Sequence, residues 1–122
     1  KVQSVAIVSP YVSDVAVPIQ NAFVDAGFRV PNTLSFGEEI EQRVARIDPA
    51  SIHAAALAAG RARDVDAVFL SCTNLRTLDI IADLEAQLGK PVVSSNQALA
   101  WHMARAAAVP LAGDSLGVLG QH

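Results

Sequence analysis

A single cysteine, Cys72, stands where an apolar run gives way to a polar turn, AVFLSCTN over residues 67–74. In α/β folds the carboxyl ends of strands are where ligands and chemistry gather. A thiol there, facing backbone N–H groups at a helix start, sits in surroundings that favour thiolate and bound anions. Thr73 and Asn74 bring a hydroxyl and an amide to the same spot, just before a helical pattern that runs from Thr77 onward. Tyr11, the only tyrosine, follows Ser9-Pro10 at the end of another apolar run. Its phenol can donate to an oxyanion or a carboxylate. A third polar turn, Ser94-Ser95-Asn96, closes the Val92-Val93 run. Each has a plainer reading as well. A lone cysteine is commonly a small buried hydrophobe. Tyr11 suits a rim aromatic packed on a helix, and Thr73 and Asn74 are ordinary cap and turn formers.

Other candidates carry less. Arg76 has the chemistry to clamp a carboxylate, but Asp79 lies three residues on, at the spacing of a helical surface pair. His53, His102 and His122 share no ligand spacing with each other or with Cys72, which argues against a metal site. His102, beside Trp101, reads as a packing or interface residue. The first apolar run leads into SPYVSD rather than a glycine-rich phosphate loop, and no GxSxG elbow occurs, so nucleotide binding and serine hydrolysis both recede. No cofactor motif remains.

The chain has 122 residues, one domain's worth, of which 52% are hydrophobic and 17% charged. An average globular chain is roughly 25% charged. A low-charge domain of this size is expected to hide apolar surface against a second copy or a neighbouring domain. The net charge of −3, without a basic run, argues against a nucleic-acid partner. No apolar stretch approaches the roughly 18 residues of a membrane span, and no secretory signal is visible. One cysteine forms no intrachain disulfide, which suits a reducing cytoplasm.

The elements that must position these residues alternate between strand and helix. Residues 2–9 read as a fully covered strand. A helical pattern follows from about Val17 and stops at Gly27, with Pro18 tolerated in its first turn. Residues 28–36 hold a second strand weakened by Pro31, and residues 38–47 a short helix. Asp48-Pro49 is an N-cap followed by proline at N1, opening an alanine-rich helix to about Arg63. Residues 67–71 form the third strand, Leu78 to Leu88 a helix ended by Gly89-Lys90-Pro91, and Val92-Val93 the fourth strand. The last helix runs over residues 97–108, and the tail after Pro110 is rich in glycine. Strands separated by helices imply a parallel sheet with right-handed crossovers. We therefore expect an α/β, three-layer, doubly wound domain, flavodoxin-like, with a four-stranded parallel sheet in the order 2-1-3-4. That order brings Ser9-Pro10-Tyr11 and Cys72-Thr73-Asn74 to one crevice, with Ser94, Ser95 and Asn96 as a wall.

With these residues assembled, the chain resembles the aspartate/glutamate racemase superfamily. Within it, the branch is that of maleate cis-trans isomerases, arylmalonate decarboxylases and ectoine-utilisation proteins. The resemblance is carried by VAIVSPY (residues 5–11), VARIDP (44–49), FLSCTNLRTLDII (69–81) and GKPVVSSNQALAWH (89–102). Ser35-Phe36-Gly37-Glu38-Glu39 and Ser94-Ser95-Asn96-Gln97 are similar to the ectoine-utilisation proteins in particular. Two places depart from the maleate isomerases: Asp14 and Val15 lead to Ala16 where those proteins have an aspartate followed by an asparagine, and Gln42 stands where a substrate-contacting asparagine is usual.

The resemblance implies two similar half-domains facing each other across the active site, each usually supplying one cysteine. This chain looks like the second, carboxyl-terminal half, with residues 1–122 as a single α/β domain and a first half or partner chain completing the site. It implies a cofactor-independent isomerase or racemase acting on a small carboxylate or dicarboxylate. In that picture Cys72 and Tyr11 are catalytic, and Ser9, Pro10, Thr73, Asn74, Ser95 and Asn96 bind substrate. The alternatives are a decarboxylase, which needs one active-site thiol, or a non-catalytic ligand-binding protein of ectoine utilisation. Family habit and the apolar surplus together imply a homo-oligomer.

Overall fold

Alternate residues of the first strand, β1 (Val5–Ser9), face opposite sides of a sheet, and both sides are covered. The computed structural model describes residues 1–111 and 116–122. In it, β1, β2 (Thr33–Ser35), β3 (Ala67–Leu70) and β4 (Val92–Ser94) form one all-parallel sheet in the order β2-β1-β3-β4. Val5 lies opposite Ala67, Ile7 opposite Thr33 and Val68 opposite Val92. Five helices complete the layers: α1 (Ser13–Asp25), α2 (Glu41–Val44), α3 (Pro49–Gly60), α4 (Leu78–Leu88) and α5 (Ser95–Ala106). A 3₁₀ turn spans Gly117–Gln121. This is the expected doubly wound arrangement, and it sets the carboxyl ends of β1, β3 and β4 side by side.

One face of the sheet carries the tighter packing. Ala6, Val8, Val68, Leu70 and Val92 meet Ala55, Ala56 and Ala59 of α3 and Ile81 and Leu84 of α4. The small α3 side chains let that helix lie close. At Gly60 an added Cβ would come within 2.7 Å of Val68 Cγ2 and 2.9 Å of Leu88 Cδ1, so only glycine fits. Asp48 accepts from the Ala50 N–H (3.3 Å) with Pro49 in the first turn, as the sequence indicated. Gly89, at φ +63°, ends α4 in the left-handed conformation that glycine adopts without strain.

The opposite face is covered more loosely. Phe23 of α1 packs on Phe69 at 5.1 Å between ring centroids and on Phe28 at 6.1 Å, yet α1 buries no residue completely. Val15, Val17 and Val24 on α1 and Leu99 and Met103 on α5 stay about half or more exposed. The apolar surplus in the composition therefore lies largely on these two helices.

The second strand and the first helix differ from expectation. The second strand shrinks to Thr33–Ser35, because Pro31 cannot donate to a ladder; upstream, only an isolated Ser4–Arg29 bridge pairs with the sheet. Helix α1 starts at Ser13 rather than near Val17, with no side-chain cap at Val12 to announce it. Pro18 thus lies inside the helix and leaves the Asp14 carbonyl without its intrahelical donor. Part of the glycine-rich tail, residues 112–115, lies outside the described residues. Beyond it, Gln97 Nε2 donates to the Leu116 carbonyl (3.0 Å), and the Val118 N–H donates to Glu85 Oε2 (3.1 Å). These bonds seat the 3₁₀ turn against α4 and α5. No helix among the described residues is long and apolar enough to cross a membrane.

Candidate functional site

Cys72 follows directly on the carboxyl end of the central strand β3, past Ser71, whose N–H is bonded to the Val8 carbonyl (2.8 Å). It is 5% exposed and packs with Val44, Ile52 and Leu75, against which Tyr11, Phe36, Ile47 and Ile80 also lie. Its backbone has φ +154°, outside the ordinary range for a residue with a side chain. The Asn74 N–H donates to Cys72 Sγ at 3.3 Å, and the Cys72 N–H donates to Ser95 Oγ at 3.1 Å. The helix-start expectation needs correcting here. Helix α4 begins only at Leu78, and Thr77 gives it no side-chain cap. The amide on the sulfur belongs instead to the tight turn through Thr73 and Asn74. Asparagine and threonine favour turns and caps for the same reason, local bonding to nearby backbone, so sequence alone does not separate the two.

The turn is tied on two sides. From α5, Asn96 Nδ2 donates to the Thr73 carbonyl (2.9 Å). From α2, Glu41 receives both protons of the Asn74 side-chain amide, on its backbone carbonyl (2.9 Å) and on Oε2 (2.8 Å). Thr73 is exposed, whereas Asn74, Ser95 and Asn96 are half-buried. Ser94 sits beneath them in a capping box: its hydroxyl accepts from the Gln97 N–H (3.2 Å), and Gln97 Oε1 accepts from the Ser94 N–H (2.9 Å). Helix α5 thus starts at Ser95, two residues before the sequence reading put it. The Ser-x-x-Gln spacing was the signal available.

Ser9 and Pro10 are buried and fasten the end of β1 to its neighbours. The Ser9 carbonyl accepts from Phe36 N–H (3.0 Å) and the Pro10 carbonyl from Glu38 N–H (2.7 Å). Ser35 Oγ donates to the Tyr11 carbonyl, which leaves Ser9 Oγ as donor in its 3.0 Å bond to Ser35 Oγ. These two residues carry Tyr11 to the rim. Burial pushes the Tyr11 phenol well above its ordinary value. The Cys72 side chain as hydrogen-bond partner and the negative charge of Glu41 push the same way. The phenol therefore stays protonated at any physiological pH. Beside it opens a cavity of about 310 Å³, lined by Tyr11, Val12, Val15, Val44, Glu38, Glu39 and Glu41.

The structure brings Tyr11, Cys72, Asn74, Ser95 and Asn96 into one linked cluster. Arg76 stands apart: it donates to the Ile47 carbonyl (3.2 Å) rather than pairing with Asp79. His53 pairs with Asp83 at 2.6 Å, and His102 is exposed on α5. Among the described residues no three His, Cys, Asp or Glu side chains could together hold a metal ion. Sequence reasoning passed over Glu41 and Ser35 as site residues, since each acts through a partner 33 or 24 positions away and leaves no local pattern.

Residues 1–119 match the family model described as arylmalonate decarboxylase. The chain belongs to the arylmalonate decarboxylase family. It is 34% identical over 107 residues to the arylmalonate decarboxylase of Bordetella bronchiseptica, covering 87% of this chain and 45% of that protein. It is equally 34% identical over 108 residues to the maleate isomerase of Pseudomonas putida, covering 87% and 42%. The maleate cis-trans isomerase of Nocardia farcinica, solved as a cysteine-to-serine variant with a covalently bound succinylcysteine intermediate, matches with a TM-score of 0.85 at 25% identity. That match covers 98% of this chain and 49% of the isomerase. The chain thus spans about half the length of the relatives it matches. The expected branch, with its decarboxylases and maleate isomerases, is the one found.

Proposed function

We propose that this chain is the second half-domain of a cofactor-independent enzyme of the maleate isomerase type, acting on a small carboxylate with Cys72 as its thiol. The observation that carries the reading is the position of Cys72: buried beyond β3, its sulfur accepting the Asn74 N–H and its neighbour a protonated phenol. The relatives' names supply the reaction class, and the share of their length supports a second half supplying the rest of the site. In the proposed cycle a cysteine of the other half adds to the substrate double bond, and the electron pair moves into the carboxylate to give an enediolate. The Cys72 thiol protonates the carbanionic carbon, the new single bond rotates, and the Cys72 thiolate takes a proton back as the first sulfur leaves. Tyr11 donates to the carboxylate oxygen while it bears the extra charge, when a fixed donor counts most. Thr73, Asn74, Ser95 and Asn96 shape the substrate's seat, and Ser9 and Pro10 hold Tyr11 toward it.

The test is Cys72→Ser in the full-length protein, assayed with maleate and with an arylmalonate. A lost proton carrier should lower kcat on the order of 10²–10⁴-fold with the melting temperature unchanged. Parent-like turnover of both substrates by the variant would overturn the reading. Activity of the parent on the arylmalonate alone would move the assignment to decarboxylation, which requires one thiol.

A further inference from the structure

We propose that Glu41 is a positioning residue for the reactive turn, holding Asn74 so that its N–H stays on the Cys72 sulfur; this rests on reading Cys72 as the working thiol. The Cys72–Leu75 turn has few fixed points. On one side Ser95 and Asn96 hold Cys72 and Thr73. On the other, among the described residues the Asn74 side chain is bonded only to Glu41, through the carbonyl and the carboxylate together. The second bond is charge-assisted and therefore the stronger. Glu41 is itself well placed to hold still. It opens α2, whose Val44 is buried in the same cluster as Cys72. Movement of α2 would thus be felt at the sulfur through one side chain.

The bond and the charge of Glu41 act in opposite directions. The bond keeps a donor on the sulfur, which favours negative charge there. The carboxylate's own charge opposes it, as it also does at Tyr11. Two substitutions separate these effects. Glu41→Gln keeps the side-chain acceptor for Asn74 Nδ2 and removes the charge, whereas Glu41→Ala removes the side-chain acceptor and the charge, leaving Asn74 only the backbone carbonyl of residue 41. The readout is the rate at which iodoacetamide alkylates Cys72 in the full-length protein, followed by peptide mass spectrometry, together with kcat and KM. Glu41→Ala should slow alkylation about tenfold, the scale of a lost hydrogen bond to a charged group, and lower kcat more than it raises KM. Glu41→Gln should alkylate at the parent rate or faster. Asn74→Ala, which keeps the N–H but loses both bonds to residue 41, should slow alkylation at least as much as Glu41→Ala, and the double variant should be no slower than Asn74→Ala. Glu41 is exposed, so the fold should survive every change. Parent-like alkylation in Glu41→Ala, or equal slowing by Glu41→Gln, would overturn the proposal. Alkylation reads the sulfur whether or not it turns over substrate. Slowed alkylation by Glu41→Ala, beside full turnover by Cys72→Ser, would sink the functional reading and leave the positioning role standing.

Discussion

At the amino-terminal end of the sheet, the Asp66 carboxylate accepts the N–H groups of Gln3 and Ser4 at 2.9 and 3.0 Å, and Ser4 Oγ accepts the Asp66 N–H at 3.1 Å. At the carboxyl-terminal end the side chains are much the same, serines, an asparagine and a carboxylate, but the bonds run toward a sulfur. The first set joins the entry to β3 to the entry to β1, and each bond ends on a backbone N–H. In the second set, Asn74 N–H points at Cys72 Sγ, Ser95 takes the Cys72 N–H, and Glu41 holds Asn74. Similar chemistry thus stitches strands at one end and surrounds a buried thiol at the other. What separates the ends is whether the last group in the chain of bonds is backbone or a thiol sulfur.

Tyr11→Phe should break that distinction most visibly. If the phenol works on substrate, its loss should lower kcat about 10²-fold or more, the scale of one preorganised donor, while the melting temperature stays within a degree or two. The ring is retained, and it lies half-buried against the cluster that holds Cys72. Steady-state kinetics on the full-length protein decide it. A kcat within twofold of the parent would make Tyr11 a packing aromatic and bring the carboxyl-terminal rim closer in kind to the amino-terminal one.

Ser94 sharpens the comparison from inside the working rim, because it lies next to Ser95 yet is bonded only for structure. Ser94→Ala removes the acceptor of the Gln97 N–H, which is fully buried, and should cost about 1–2 kcal/mol in urea unfolding. Turnover per folded molecule should change little. A large loss of kcat with unchanged stability would mean that the capping box itself presents Ser95 to Cys72.

These contrasts also show what could be read from the chain. The order of strands was legible because each apolar run ends in a polar turn, and because Asp48-Pro49 and Gly89 mark helix ends by local chemistry that needs no partner. Cys72 was legible for the same reason, standing at a strand end that the fold makes a crevice. The limits of β2 were not, since Phe28 and Val30 fit a strand until Pro31 and the turn out of α1 divert the backbone. Nor was the source of the amide on the sulfur: Thr73 and Asn74 satisfy a turn as well as a cap. Glu41 was out of reach altogether, as an acidic residue opening a four-residue helix looks like any solvated charge until the fold brings Asn74 to it.

The smallest expected effect belongs to the stitched end, at Asp66. Backbone bonds from Gln3, then the Ser4 hydroxyl and backbone, and the nearby Arg29 charge hold this carboxyl below its usual value. A carboxyl lowered by folding stabilises the protein at pH values above its unfolded pKa, near 4, and the contribution is lost as pH falls through the lower, folded value. Asp66→Asn cannot titrate, so its melting temperature should fall less steeply than the parent's between pH 5 and the acid limit, and the two curves should converge at the acid end. The group is solvent-exposed, which keeps the difference small. Turnover near neutral pH should be untouched, since the bonds of Asp66 end on backbone far from the sulfur. Parallel melting curves down to pH 3 would show that Asp66 stitches nothing. A drop in kcat would show that strain at the amino-terminal end of β3 reaches Cys72 along the strand, and that the two ends of the sheet are coupled.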